Sequence, residues 1–96
     1  MDQQAKQFLG FMSVEKGAAA NTISAYRNDL EQFSTYVNAA RSNGHDAVWH
    51  DVDQDLLQGY IGSLRSNEYA DATVARKVAA VKSFFNYLTA EGIVPS

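Results

Sequence analysis

Cysteine is absent from the 96 residues, which excludes disulfides and thiol chemistry and leaves the chain to fold on its core alone. Proline occurs once, at Pro95, so nothing of that kind interrupts a helix before the last two residues. No apolar run approaches the length of a membrane span. The opening residues, Met1 to Lys6, lack the basic-then-apolar order of a signal peptide. Alternation of apolar and polar residues, the mark of a half-buried strand, is also missing. These absences leave a soluble, cytoplasmic, all-helical domain as the expectation, with residues 1–96 forming one unit. An apolar content of 46% is ordinary for a globular chain, so a core can form without staples.

Basic charge is scarce. The formal net charge is −3, a balance that by itself disfavours a nucleic-acid partner. Its distribution says more. Residues 1–42 are neutral, residues 43–71 carry −5, and residues 72–96 carry +2. Acid is concentrated in the middle of the chain and base near its end.

What is present is helical spacing. A first helix is expected over roughly 2–15, with Ala5, Phe8, Leu9 and Met12 on one stripe and Gly17 as its stop. A second starts at Asn21 as N-cap and runs to about 42, with Ile23, Tyr26, Leu30, Phe33 and Val37 along one face. A third takes Asp53 as N-cap and buries Leu56, Leu57, Tyr60, Ile61 and Leu64. Inside it, Gly59 and Gly62 either weaken the helix or admit a close neighbour. A fourth follows Asp71, places Val74, Val78, Val81, Phe85 and Leu88 inward, and ends at Gly92. The one true connector is 43–52, in which Trp49 and Val52 are expected to fold back on the core. The elements pair into two packed helix hairpins.

Two of these helices say nearly the same thing. Residues 21–37 align without a gap against 72–88, at an offset of 51. Thr22 matches Thr73, Ile23 matches Val74, Leu30 matches Val81, Phe33 matches Phe84, Tyr36 matches Tyr87 and Val37 matches Leu88. Internal symmetry and chance similarity between two amphipathic helices both account for such a match. At about 100° per residue, the fourth helix turns Thr73, Arg76, Ala80, Ser83 and Tyr87 away from a stripe centred on Val78 and Val81, with Lys77 and Lys82 at its edges. Hydroxyls, a guanidinium and small gaps on one face suit a phosphate backbone. An ordinary solvated face reads the same way.

The run Thr-Ile-Ser-Ala-Tyr-Arg-Asn-Asp-Leu-Glu-Gln-Phe (22–33), then 72–88, then Glu-Gly-Ile-Val-Pro (91–95), resembles the N-terminal core-binding domain of tyrosine recombinases and phage integrases, Xer-type members above all. The resemblance covers nearly the whole chain. It implies an all-α, four-helix, SAM-like bundle of two crossed hairpins. It implies binding to double-stranded DNA, clamping one face of a core recombination site while a C-terminal catalytic domain closes from the other. That domain, expected after residue 96, would carry out strand cleavage and rejoining. Carried over residue by residue, the DNA contacts fall on Thr22, Ala25, Tyr26 and Arg27 of the second helix and on Thr73, Arg76, Lys77, Ala80 and Lys82 of the fourth. The resemblance also implies tetramers with like or related subunits on DNA for a full-length protein, and a monomer for this domain alone. Asn28 stands where many relatives carry a second basic residue, and the chain is acidic, so weak and salt-sensitive binding is expected.

No catalytic residue, cofactor or metal is expected within the chain. A nucleophilic tyrosine needs an electropositive cage, and none of the five tyrosines has one within sequence reach. Tyr26 and Tyr60 read as core or core-edge residues, Tyr36 and Tyr87 as surface aromatics, and Tyr69 as a turn residue. His45 and His50, beside Asp46 and Asp51, fit no zinc spacing. The acidic residues Asp46, Asp51, Asp53 and Asp55 read as a solvated loop leading into a helix N-terminus, where carboxylates suit the dipole. The alternative function is a helical protein-interaction module of the same shape.

Overall fold

Helical periodicity governs the structure, a computed structural model in which residues 3–41 and 49–95 are described. Four α-helices form: α1 (Gln3–Val14), α2 (Ala20–Arg41), α3 (Gln54–Ser66) and α4 (Asp71–Ala90), with a single 3-10 turn at Trp49–Asp51 before α3. No strand occurs among the described residues. His45 and Asp46 of the connector lie outside them.

The helix ends follow local chemistry. Asp53 caps α3, its carboxylate accepting from the Leu56 amide at 2.8 Å, and Asp55 follows in the first turn. Gly92 adopts φ +72°, a left-handed conformation that costs glycine little. It closes α4 with two reverse bonds: its own N–H donates to the Thr89 carbonyl at 3.1 Å, and the Ile93 N–H donates to the Leu88 carbonyl at 2.9 Å. Gly17, at φ +63°, turns the chain after α1. One cap differs from expectation. The chain is already helical at Ala20, and the Ala19 carbonyl accepts the first bond, from the Ile23 N–H at 3.0 Å. Asn21 therefore lies within the first turn.

α2 and α4 cross at the centre. α1 packs against both of them, and α3 packs against both, but the backbones of α1 and α3 do not come close: among the described residues no Cα of one lies within 8 Å of a Cα of the other. The matched positions of the two central helices meet in the core: Leu30 and Val81, Phe33 and Phe84, and Val37 and Leu88 are all buried. Trp49 enters between the two matched phenylalanines. It stacks on Phe33 (centroids 5.9 Å apart, planes at 12°) and meets Phe84 edge-on (5.0 Å, 90°). Its role as a loop anchor is thereby realised. Tyr36 and Tyr87 are half-buried rather than surface aromatics, because each finds an aromatic neighbour: Tyr36 lies against Tyr60, and Tyr87 against Phe8 and Phe11.

The two glycines of α3 separate by environment. A Cβ on Gly59 would lie 2.6 Å from the Tyr36 hydroxyl, so this glycine admits a close neighbour. A Cβ on Gly62 would meet nothing within 4 Å. Gly62→Ala is accordingly expected to stabilise the fold by about 0.5–1 kcal/mol in urea unfolding, through helix propensity and a less flexible unfolded chain. Gly59→Ala should lack that gain, since the Tyr36 ring must move.

Candidate nucleic-acid interface

A charge stands inside the apolar stripe of α2. Asp29 lies between Tyr26 and Phe33 at helical spacing, and its side chain is fully buried. An unpaired carboxylate there would be costly. Two consecutive cations of α4 meet it. Arg76 donates through Nε to Asp29 Oδ2 at 3.0 Å and through Nη2 to Oδ1 at 2.9 Å, a side-on fork. Lys77 donates through Nζ to Asp29 Oδ1 at 3.0 Å and to Gln32 Oε1 at 2.6 Å. The ammonium also lies 5.2 Å from the centre of the Tyr69 ring, and the Tyr69 hydroxyl accepts from Gln32 Nε2 at 3.1 Å. α2, α4 and the turn before α4 are thus tied by one polar cluster carrying two positive charges and one negative.

The two cations differ in access. The Lys77 side chain is 5% exposed and that of Arg76 is 45% exposed. The hydrogen bonds and charge of Asp29 raise the hold of Arg76 on its proton, so the guanidinium is a permanent cation. Of the five N–H donors of a guanidinium, Asp29 engages two. The others, on Nη1 and on the free side of Nη2, form its opposite edge.

This arrangement corrects the expected outer face of α4. Lys77 and Ala80 point inward: Ala80 is fully buried, and Lys77 is spent on Asp29 and Gln32. Neither offers a surface to a ligand. The exposed face is rotated by roughly a quarter turn, with Arg76 and Lys82 on its two edges and Ala72, Ala75, Ala79 and Asn86 between them. Thr73 and Ser83 are half-buried at the margin. On α2, Thr22 and Arg27 are exposed, and Ala25 and Tyr26 are half-buried. Arg27 opens on the groove between α1 and α2, beside Lys6 and Glu31. Lys82 opens on the groove between α3 and α4, which Arg65 and Asp71 also line. Arg76 stands at the α2–α4 crossing itself. The expected contact residues therefore form no single patch: Arg76 stands at the crossing, Arg27 and Lys82 open on two flanking grooves, and Tyr26 lines a third, aromatic groove with Phe8, Phe11 and Tyr87.

Sequence reading missed Asp29, Gln32 and Tyr69 as one cluster, and Arg65 as a second base on the α3–α4 groove. The available signal was Asp29 itself, a carboxylate within a buried arc, which demands a buried or half-buried cation elsewhere. Among the described residues, no group of histidine and acidic side chains is placed to hold a metal. No helix among them is long and apolar enough to cross a membrane.

Tyr60 borders the cluster. It is buried, its hydroxyl lacks a hydrogen-bond partner, and its pKa is pushed up to about 12, first by burial and then by the negative charge of Asp29 and by Tyr69. Below pH 10 the phenol is neutral in both the folded and unfolded chain. Between pH 10 and 12 only the unfolded chain loses this proton, so stability falls as pH rises, by up to about 1.4 kcal/mol per unit. Tyr60→Phe is expected to stabilise the fold by about 1 kcal/mol at neutral pH, because an unpaired buried hydroxyl is removed. It should also flatten the alkaline loss. Urea unfolding at neutral and alkaline pH checks both.

Comparison with known proteins agrees with this architecture. Residues 5–92 match the family described as phage integrase, N-terminal SAM-like domain. The chain is 47% identical over 94 residues to tyrosine recombinase XerC of Roseiflexus castenholzii, covering 98% of this chain and 29% of that protein. It is 36% identical over 88 residues to tyrosine recombinase XerD of Caulobacter vibrioides, covering 92% of this chain and 27% of that protein. Tyrosine recombinase XerD of Listeria innocua is 35% identical over 92 residues, with 96% and 30% covered. No solved structure gives a match. The chain spans less than a third of the length of these relatives. With four helices in the expected order and a match across nearly all of them, the chain belongs to the phage integrase N-terminal SAM-like domain family.

Proposed function

We propose that this chain is the DNA-binding domain of a site-specific tyrosine recombinase. It lays the α2–α4 crossing against the phosphate backbone of double-stranded DNA and clamps one face of the recombination site. Strand cleavage and rejoining belong to a catalytic domain following residue 96, and tetramers assemble from the full-length subunits. The relatives are named tyrosine recombinases, which supports the class of reaction. The observation that carries the DNA reading is Arg76: a half-exposed guanidinium at the crossing, with an unused donor edge, beside an alanine-lined face of α4 that permits close approach. Thr22, Ala25, Tyr26, Arg27, Thr73 and Lys82 remain contact candidates. Lys77 serves from within, and Ala80 only by its small size.

Fluorescence anisotropy with a short labelled duplex, titrated at low and then moderate salt, tests this. Binding is expected at low salt and should fall linearly on a log–log plot as salt rises. Lys82→Gln should weaken binding evenly across sequences and reduce the salt slope by about 1. Failure of any duplex to bind at low salt would refute the proposal. Salt-tolerant binding to a protein partner through the aromatic groove of Phe8, Phe11, Met12, Tyr26 and Tyr87 would favour the interaction-module alternative instead.

A further inference from the structure

We infer that Asp29 is a positioning residue for phosphate, holding the Arg76 guanidinium by one edge so that its other edge is presented as a ready fork, while Lys77 keeps the assembly cationic. The inference rests on the DNA-binding reading above and assigns the geometry within it.

A guanidinium is planar and has two forks, a side edge of Nε and one Nη, and an end edge of the two Nη groups. Asp29 takes the side edge with both oxygens. The ring-like pairing fixes the plane, because the carboxylate is itself immobile: it is fully buried and also bonded to Lys77. A flexible arginine would lose rotamer entropy on meeting a phosphate, whereas this one has lost much of it on folding. An Asp–Arg pair alone would cancel the charge the phosphate seeks. Lys77 offsets Asp29 from the buried side, where it cannot reach the ligand, and leaves one positive charge in excess at the exposed edge. Gln32 and Tyr69 hold Lys77 in place. The three charged groups thus act in different ways. Asp29 orients, Lys77 compensates, and Arg76 meets the anion.

The sign of one mutational effect separates this from a merely structural ion pair. Asp29→Asn removes a negative charge beside the interface, so electrostatics alone predicts tighter binding to DNA. Loss of positioning predicts the reverse. With the 96-residue chain and a short fluorescein-labelled duplex, Asp29→Asn is expected to weaken binding about tenfold, the scale of one charged hydrogen bond, and to lower the salt slope by about 1. Circular dichroism at the assay temperature establishes that the variant is folded. Should it not fold, Arg76→Lys decides. Lysine keeps the charge but has no second fork, so Arg76→Lys should lose about as much affinity as Arg76→Gln. Equal or tighter binding by folded Asp29→Asn, or near wild-type binding by Arg76→Lys, overturns the inference and leaves the DNA-binding reading intact. A wild-type chain that binds no duplex takes down both.

Discussion

Asp29→Ala is expected to destabilise the chain by about 3–5 kcal/mol, the scale for removing one partner of a buried ion pair. Domains of this size are held by roughly 5–15 kcal/mol, so the variant should be largely unfolded at modest urea concentration. The cost arises from what is left behind. Lys77 is almost wholly enclosed and would be left with only Gln32 Oε1 and the Tyr69 ring for company. Arg76 is half-exposed and can turn to water, so its share is smaller. This asymmetry gives an internal control. The double variant Asp29→Leu with Lys77→Met replaces the buried pair by apolar groups of similar size, and such exchanges are often neutral. It should recover most of the lost stability. Chemical denaturation followed by circular dichroism measures all three chains. Equal instability of the single and double variants would contradict the account.

Phe84→Ala is expected to cost about 3–5 kcal/mol, as a buried phenylalanine truncated in a core that cannot collapse around the gap. Phe84 is fully buried and touches three aromatic rings from three parts of the chain: Phe8 of α1 at 5.5 Å, Trp49 of the 3-10 turn at 5.0 Å, and Phe85 beside it at 5.7 Å. No single neighbour can swing in without abandoning its own contacts. Trp49 is the only tryptophan and is 4% exposed, so it reports on the site directly. Its emission should shift to the red in Phe84→Ala even under conditions where helicity persists. An unchanged spectrum together with an unchanged urea midpoint would show that the ring is dispensable.

The fold was legible because its signals are local. Spacing of three and four residues gives each helix its inner face, Asp53 marks one start, and Gly17 and Gly92 mark two stops. The inner stripes of α2 and α4 identified Leu30, Phe33, Val37, Val81 and Leu88 as core, but they turned Phe85 inward where Phe84 is the fully buried ring and Phe85 only half-buried. The candidate interface was less legible, for a definite reason. Lys77 is hydrophilic, and a helical-wheel reading turns hydrophilic residues outward. What turns it inward is Asp29, 48 positions away. Nothing local couples the two. Ala80 followed the same error, since its place on the wheel was judged with Lys77 at an edge of the inner stripe rather than within it. At the matched offset, the place of Asp29 on α2 is the place of Ala80 on α4, and both are enclosed. Apolar matches are visible in such an alignment. The exchange of a charge for a methyl group at one pair of positions is what makes the crossing unequal.

The separation of α1 from α3 has a dynamic consequence. Each outer helix leans on the α2–α4 pair, and neither braces the other. Either is therefore expected to lift away while the other stays docked, with the central pair opening only on global unfolding. Amide hydrogens of α1 and α3 should exchange through separate partial openings with their own free energies, while those around Leu30, Phe33, Val81 and Phe84 exchange only by global unfolding. Asp29, Gln32, Arg76 and Lys77 all stand on that central pair, the last group to open. A surface built there keeps its geometry through the fluctuations that loosen the rest.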